Sequence, residues 1–426
     1  MNLKNNPVVK NIIWLVMDKF LMLFLQFFVG IKVANYYGSE TYGVYAYAGA
    51  VVAFFPIVLE IINPRVIKEY YGEDFNHVVS CVTTIRNICS FVLLLGVIVY
   101  GMVFNISREL YYLLVLLSLD SFLICWTFGI ENYFEFKLLS KKTVVANNIV
   151  KVLAYILQYI GIMLQFTIVI IPIIRVIGSL IRGIILKRAY FKEYGERIKF
   201  IIDKSLTFKM IGESYYLWIS FVAFIIYTQI DKIMIGNMLG DREVGIYTIG
   251  LQLSSILAIL IGPFQNSIYP KLMEAYKRDY NEYKKIYLKS NTLFTQIYIL
   301  GGILSIFVVK WLFPYLYSSE YRGAILTYSI LTISIFFKAN GALQTGHMTL
   351  KKITKKSFYK TLVGLILNVS LNLYLIPKFK IDGAALATAI TQFVTLFLMD
   401  YFIPEYREQF FIQVKSLNPL NLIKKD

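Results

Sequence analysis

Tyr37-Gly38-Ser39-Glu40-Thr41-Tyr42-Gly43-Val44-Tyr45 lines up, residue for residue, with Leu239-Gly240-Asp241-Arg242-Glu243-Val244-Gly245-Ile246-Tyr247. Both copies keep Gly-x4-Gly-x-Tyr between two hydrophobic stretches, and Asn35 just upstream matches Asn237. A second pair follows, Pro64-Arg65-Val66-Ile67-Lys68-Glu69-Tyr70 against Pro270-Lys271-Leu272-Met273-Glu274-Ala275-Tyr276. Many secondary transporters are built from such duplicated halves, with the substrate path at the repeat interface. The repeat points to membrane transport before any single residue does.

Working outward, the 426 residues are 58% hydrophobic, with a mean hydropathy of +0.62. That is too apolar for a soluble domain of this size. A helix crossing a bilayer core of about 30 Å needs about 20 apolar residues. The sequence offers twelve such spans, at 11–34, 42–63, 81–104, 109–131, 143–164, 167–188, 211–237, 246–269, 290–311, 323–346, 358–377 and 382–403. The expected fold is an all-α polytopic membrane protein with two six-helix lobes: 1–190, a basic linker at 191–210, 211–404, and a tail at 405–426. Asp18 and Lys19 interrupt the first span, which is therefore read as a retained anchor rather than a cleaved signal.

The formal net charge of +17 is unevenly placed. With the N-terminus inside, the inner segments hold Lys4, Lys10, Arg65, Lys68, Lys137, Lys141, Lys142 and the basic runs at 187–209, 271–289, 351–360 and 407–425. The outer loops hold only Arg108, Arg242, Lys310, Arg322, Lys378 and Lys380. This positive-inside pattern places both termini in the cytoplasm. Topogenic and lipid-headgroup roles account for the charge, and no nucleic-acid partner is expected. Within the linker, basic residues alternate with Tyr190, Phe191, Tyr194, Phe200, Ile201 and Ile202, as in a segment lying on the inner leaflet. The stretches opening at Pro64 and Pro270 read as interfacial elbows, since proline fits the first turn of a helix.

Cys81, Cys89 and Cys125 read as small buried hydrophobes. His77 and His347 lack metal-ligand spacing, so neither a metal nor a cofactor is expected. Every outer loop is short, and no nucleophile–base constellation appears, which argues against an enzyme.

A charge at the bilayer centre costs about 2.5–3.5 kcal/mol on the lenient insertion scale, so intramembrane charges need a partner or a cavity. Arg175, Ser179 and Arg182 share one face of the sixth span, with the two arginines about 10 Å apart. Asn148, Lys151, Tyr155 and Gln158 share one face of the fifth. Together they form a candidate anion-binding wall, unless the arginines pair with Asp120 or Glu131 of the fourth span. Glu213, Tyr216, Ser220, Tyr227 and Asp231 form a stripe on the seventh span, either lining a water-filled path or making a helix–helix seam. Asp18, Asp120, Glu213 and Asp231 are candidate coupling or ion-pair carboxylates. Lys32, Arg86 and Lys232 lie near span ends, where long side chains snorkel to the interface.

Gln229-Ile230-Asp231-Lys232-Ile233-Met234-Ile235-Gly236, followed by Leu239-Gly240-x4-Gly245-Ile246-Tyr247, resembles the seventh-to-eighth helix signature of the polysaccharide repeat-unit flippases, the Wzx group. Asn368-Val369-Ser370-Leu371-Asn372, Ile376-Pro377-Lys378-Phe379 and Gly383-Ala384-Ala385-Leu386-Ala387-Thr388 resemble their eleventh and twelfth helices. That pattern often has glycine where Lys380 stands, a departure that bears on the local turn. The resemblance covers the whole chain. It implies a member of the multidrug/oligosaccharidyl-lipid/polysaccharide exporter superfamily, with a central cavity and alternating access. The implied substrate is an undecaprenyl-diphosphate-linked oligosaccharide, carried from the cytoplasmic to the periplasmic leaflet of a bacterial inner membrane. In O-antigen or capsule synthesis, a polymerase and a chain-length regulator would be the candidate partners.

The cationic wall suits a diphosphate, because arginine offers planar, multi-donor recognition of phosphate oxygens. The strongest rival is a cation-coupled multidrug exporter of the same superfamily, whose cavity should be acidic or aromatic. A repeat-unit polymerase or ligase would need a larger outer loop than any here.

Overall fold

The glycine that opens each copy of the repeat becomes a backbone break. In a computed structural model, Gly38 has φ 76° and ψ 170° and Gly240 has φ 95° and ψ 175°. Only glycine occupies that region at little cost. The structure describes residues 7–72, 74–351 and 355–422, with side chains described from Phe24 onward apart from Gln26 and residues 355–357. All described secondary structure is helical.

The chain divides into two compact units, Met1–Val222 and Ala223–Asp426. Unit 1 contains α1 (Pro7–Val52), α2 (Phe55–Leu59), α3 (Pro64–Glu69), α4 (Phe75–Val103), α5 (Arg108–Cys125), α6 (Phe128–Phe136), α7 (Ser140–Met163), α8 (Ile170–Tyr194) and the first half of α9 (Lys204–Leu239). Unit 2 contains the rest of α9, then α10 (Asp241–Ala258), α11 (Ile261–Arg278), α12 (Tyr280–Leu316), α13 (Ala324–Asn340), α14 (Gln344–Leu350), α15 (Lys355–Phe393), α16 (Met399–Phe402) and α17 (Arg407–Ser416). The duplication is visible in the packing. Helix α5 packs on α1, α4 and α8, and its counterpart α13 packs on α10, α12 and α15.

Eight described helical segments are long and apolar enough to cross a membrane, or nine counting the pair α5 and α6, which is bent by 45°. Phe27–Glu69 and Phe358–Phe402 each take in two of the spans read from sequence. The breaks inside them, at Gly38 and Lys380, fall within otherwise continuous helix. Helix α8 falls short of the apolar requirement because Arg175, Arg182 and Lys187 interrupt it.

Two sequence expectations need correcting. The fourth span ends early, at Cys125, and restarts as α6. The break frees the Gly129 N–H to donate to Thr83 Oγ1 at 3.2 Å, at a contact where a Cβ on Gly129 would lie 2.5 Å from the Val79 carbonyl oxygen. Pro64 does open a short helix, capped by Asn63 Oδ1 accepting from the Arg65 N–H at 2.9 Å. Pro270, by contrast, lies inside α11, because that helix already starts at Ile261. In the linker, α8 stops at Gly195 in the left-handed region (φ 69°), and 196–203 runs without helix along α4.

Lys380 takes φ 54° and ψ −135°, so it adopts the glycine-like turn of the family pattern at the expense of strain. Such a conformation costs a non-glycine residue about 1–3 kcal/mol, partly offset by the greater chain entropy of an unfolded glycine. Lys380→Gly should therefore raise the midpoint of thermal unfolding in detergent by about 2 °C. An unchanged or lower midpoint would show that the turn is unstrained.

The C-terminal segment is docked. Gln409, Gln413 and Ser416 of α17 are fully buried, and Asn291 and Asn340 donate to Ser416 Oγ at 3.2 and 2.9 Å. At the near end of α17, Glu408 accepts from Tyr280 Oη at 2.5 Å and pairs with Lys284 at 3.0 Å and with Lys351. Partial desolvation opposes its ionisation, but the hydrogen bonds from Lys351, Tyr280 and Lys284 outweigh it and bring the Glu408 carboxyl down to about 2. An unfolded glutamate titrates near about 4.3. The stabilisation is thus complete above that value and is lost as pH falls from about 4 towards 2. Hydrogen exchange at 407–416 should accelerate across that window in the wild type, and Glu408→Gln should flatten the dependence.

Candidate functional site

The polar groups of α5, α7 and α8 meet inside unit 1. Asp120 is buried, with its side chain only 3% exposed. It accepts from Arg175 Nε at 3.0 Å, from Arg175 Nη2 at 2.8 Å and from Ser179 Oγ at 2.5 Å. The spacing of Arg175 and Ser179, one turn apart on α8, is what lets both reach a single carboxylate. The Arg175 side chain nevertheless stays 45% exposed. Asp120 holds one edge of the guanidinium and leaves donors for another anion. Tyr45 also hydrogen-bonds to Arg175, and Tyr155 lies within its electrostatic reach.

Arg182, two turns further along α8, is in a different position. Its side chain is only 11% exposed and pairs with Glu131. Its Nε donates to Asn147 Oδ1 at 2.5 Å and its Nη1 to Thr127 Oγ1 at 3.3 Å. All of its edges are engaged by protein, so it ties α6, α7 and α8 together. Lys151 is exposed on α7 and forms no ion pair among the described residues, while Tyr155 and Gln158 are half-buried on the same helix. The structure therefore brings Arg175, Asp120 and Tyr155 together and sets Arg182 apart in a closed network.

Arg86 does not snorkel as expected. It is 7% exposed, with its guanidinium carbon 3.2 Å from the centre of the Phe128 ring, and it feels the carboxylates of Glu60 and Glu131. A desolvated contact of this kind is worth about 2 kcal/mol. The ring and the two carboxylates replace the water that the side chain would otherwise seek.

The stripe on α9 serves two different surroundings. Glu213 is exposed and accepts from Tyr70 Oη at 2.6 Å. Tyr216 is among the most exposed aromatic residues, and Ser220 bonds back to the Tyr216 carbonyl at 3.1 Å. In unit 2, Tyr227 accepts from Gln392 Nε2 at 2.5 Å. Asp231 is buried and accepts from Asn372 Nδ2 at 2.7 Å, Thr388 Oγ1 at 2.6 Å and Tyr247 Oη at 2.8 Å. Lys232 and Lys338 feel its charge, but among the described residues neither forms an ion pair with it. The Asp18 side chain lies outside the described residues.

A family model described as polysaccharide biosynthesis protein matches residues 8–276. The chain belongs to this family. A capsular polysaccharide biosynthesis protein of Staphylococcus aureus, CapF, is 29% identical over 182 residues, 41% of this chain and 44% of that protein. An uncharacterised membrane protein of Methanocaldococcus jannaschii is 26% identical over 313 residues, 71% of this chain and 73% of its own length. Among solved structures, the lipid II flippase MurJ in an inward closed conformation superposes with a TM-score of 0.71 at 15% identity, covering 95% of this chain and 91% of MurJ. An inward-facing multidrug resistance MATE transporter of the MOP superfamily superposes with a TM-score of 0.70 at 12% identity, covering 93% and 95% of the two chains. At these identities the likeness establishes the fold.

In this polysaccharide biosynthesis family member, the sequence reading missed two groups of polar residues. Asn372 and Thr388 enter the sequence reading only as part of a motif, yet both donate to Asp231. Lys360 pairs with Asp400 at 2.5 Å, both buried, with Gln344 bonding to the same carboxylate. The signal for the latter was weak, since each residue lies near a span end, where charges are common.

Proposed function

We propose that this protein is a flippase for lipid-diphosphate-linked oligosaccharide repeat units, moving them from the cytoplasmic to the periplasmic leaflet of a bacterial inner membrane by ion-coupled alternating access. The observation that carries the reading is Arg175, a half-exposed guanidinium on α8 fixed by a buried carboxylate of α5. An arginine held on one edge is preorganised for a phosphate on the other, so little side-chain entropy is lost on binding. Lys151 and Tyr155 of α7 supply a second cation and a sugar-facing hydroxyl, and Gln158 and Tyr216 add further polar groups. Arg182 holds this surface in shape. The polysaccharide family and the S. aureus relative support a substrate of this class.

Coupling falls to Asp231. Its carboxylate is buried among neutral donors, with Asn368, Asn372 and Thr388 close by as oxygen ligands, a setting in which taking up a proton or a hard cation changes the local charge by a full unit. Tyr227 and Glu213 extend the polar track along α9. A polymerase and a chain-length regulator would receive the product on the far side.

Depleting the protein from cells that make a surface polysaccharide tests the reading. Lipid-linked repeat units should accumulate on the cytoplasmic face and clear when the intact gene is restored. Normal sidedness with raised drug sensitivity would instead support a multidrug exporter, and unpolymerised units outside would point to an enzyme.

A further inference from the structure

At the linker end of unit 1 lies a cavity of about 530 Å³, to which α8 contributes Lys187 and Arg188, further along the helix than Arg175 and Arg182. Its outer wall is the segment that follows Gly195. This strap is fixed to α4 through its backbone: the Lys199 N–H donates to Ser80 Oγ and the Ile201 N–H to Thr84 Oγ1, each at 3.1 Å. Asn76 Nδ2 donates to the Arg197 carbonyl at 3.3 Å and to Glu196 Oε2 at 2.9 Å. The strap is thus held without using its basic side chains. Glu196, the one acidic residue in the lining, is engaged by Asn76.

Four cations line the cavity: Lys187, Arg188, Arg197 and Lys199. All are exposed, and among the described residues none forms an ion pair with a carboxylate. Aromatic faces steady two of them, with Lys187 Nζ 4.8 Å from the centre of the Trp126 ring and Arg197 Cζ 5.0 Å from that of Phe191. Phe191 and Phe200, both exposed, add apolar surface beside the cations. Four cations against one carboxylate, Glu196, next to exposed apolar rings, match one chemistry: a phosphate carried on a hydrocarbon chain.

We propose that this cavity binds the phosphate of an anionic phospholipid in the leaflet on the linker's side, with Arg197 and Lys199 closing over the headgroup and Phe191 and Phe200 against the acyl chains. Its occupant is bulk lipid rather than cargo. Bound lipid would hold the strap between α8 and α9 in place.

Native mass spectrometry of the full-length protein in detergent tests this, with phosphatidylglycerol, phosphatidylcholine or inorganic phosphate added as probe. Two double variants lose the same charge from the same region: Arg197→Gln with Lys199→Gln inside the cavity, and Lys192→Gln with Lys204→Gln outside its lining. The wild type and the outer variant should retain phosphatidylglycerol in preference to phosphatidylcholine, and the cavity variant should lose about 30-fold in that retention. Equal loss in both variants would overturn the site in favour of diffuse attraction to a basic segment. Inorganic phosphate displacing the lipid at millimolar concentration would overturn the lipid assignment and make the ligand a soluble phosphate. Monodisperse gel filtration of both variants, together with retained binding by Arg197→Lys, separates a binding defect from misfolding.

Discussion

Arg175→Ala is expected to slow translocation of a lipid-diphosphate oligosaccharide by about 10- to 100-fold, the effect of losing charge-assisted hydrogen bonds worth about 1.5–3 kcal/mol. The same substitution strands Asp120, 3% exposed, without its counter-ion, and breaking a buried pair from one side costs about 3–5 kcal/mol. Stability and function would fall together in the single variant. The pair Asp120→Asn with Arg175→Gln separates them, because it removes both charges and keeps two polar groups of similar shape. That double variant should regain most of the lost thermal stability and remain inactive. Recovery of translocation in the double variant would mean that Arg175 acts only through Asp120 and never touches substrate. Arg182→Ala should behave differently. It opens the Glu131, Asn147 and Thr127 network, so its main defect should be lower stability and lower yield of folded protein.

The second large effect is expected at Asp231. Asp231→Asn should reduce gradient-driven translocation to below about a tenth of wild type while leaving thermal stability equal or higher. The carboxylate is buried and held by the neutral groups of Asn372, Thr388 and Tyr247. Asn keeps the shape and relieves the cost of burying a charge that no cation meets at ion-pair distance, against a weaker loss of attraction to Lys232 and Lys338. Thr388 and Tyr247 have rotatable hydroxyls that can accept from the new amide. Translocation assayed in proteoliposomes with and without an imposed ion gradient reads the difference: the wild type should respond to the gradient and the variant should not. A variant that still responds in full would remove Asp231 from the coupling step.

Much of this was legible in the chain itself. The Gly-x4-Gly-x-Tyr repeat gave the duplicated helical plan, and its first glycine is the residue whose positive φ the break requires in each half. The faces of α7 and α8 could be drawn by helical spacing, and Asp120 and Glu131 were recognisable as partners for the arginines. Spacing could not say which arginine would remain open. That depends on Thr127 and the α5–α6 bend, which bring Glu131 and Asn147 around Arg182 and leave Arg175 half-exposed beside Asp120 and Tyr45. Nor could spacing bring Arg86 inside, since its burial rests on a ring contributed by Phe128, some forty residues away. The convergence of Asn372 and Thr388 on Asp231 joins α9, α10 and α15 across long sequence separations, which helix periodicity does not encode.

Purified protein in proteoliposomes, loaded on the outer leaflet with a lipid-diphosphate oligosaccharide and sampled with a membrane-impermeant sugar-modifying enzyme, tests the central claim most directly. The account predicts that a fraction of the substrate becomes protected over time, that Arg175→Ala slows this protection, and that a cationic drug does not compete for it. Protection no faster than in protein-free vesicles, alongside saturable uptake of the cationic drug, would contradict it.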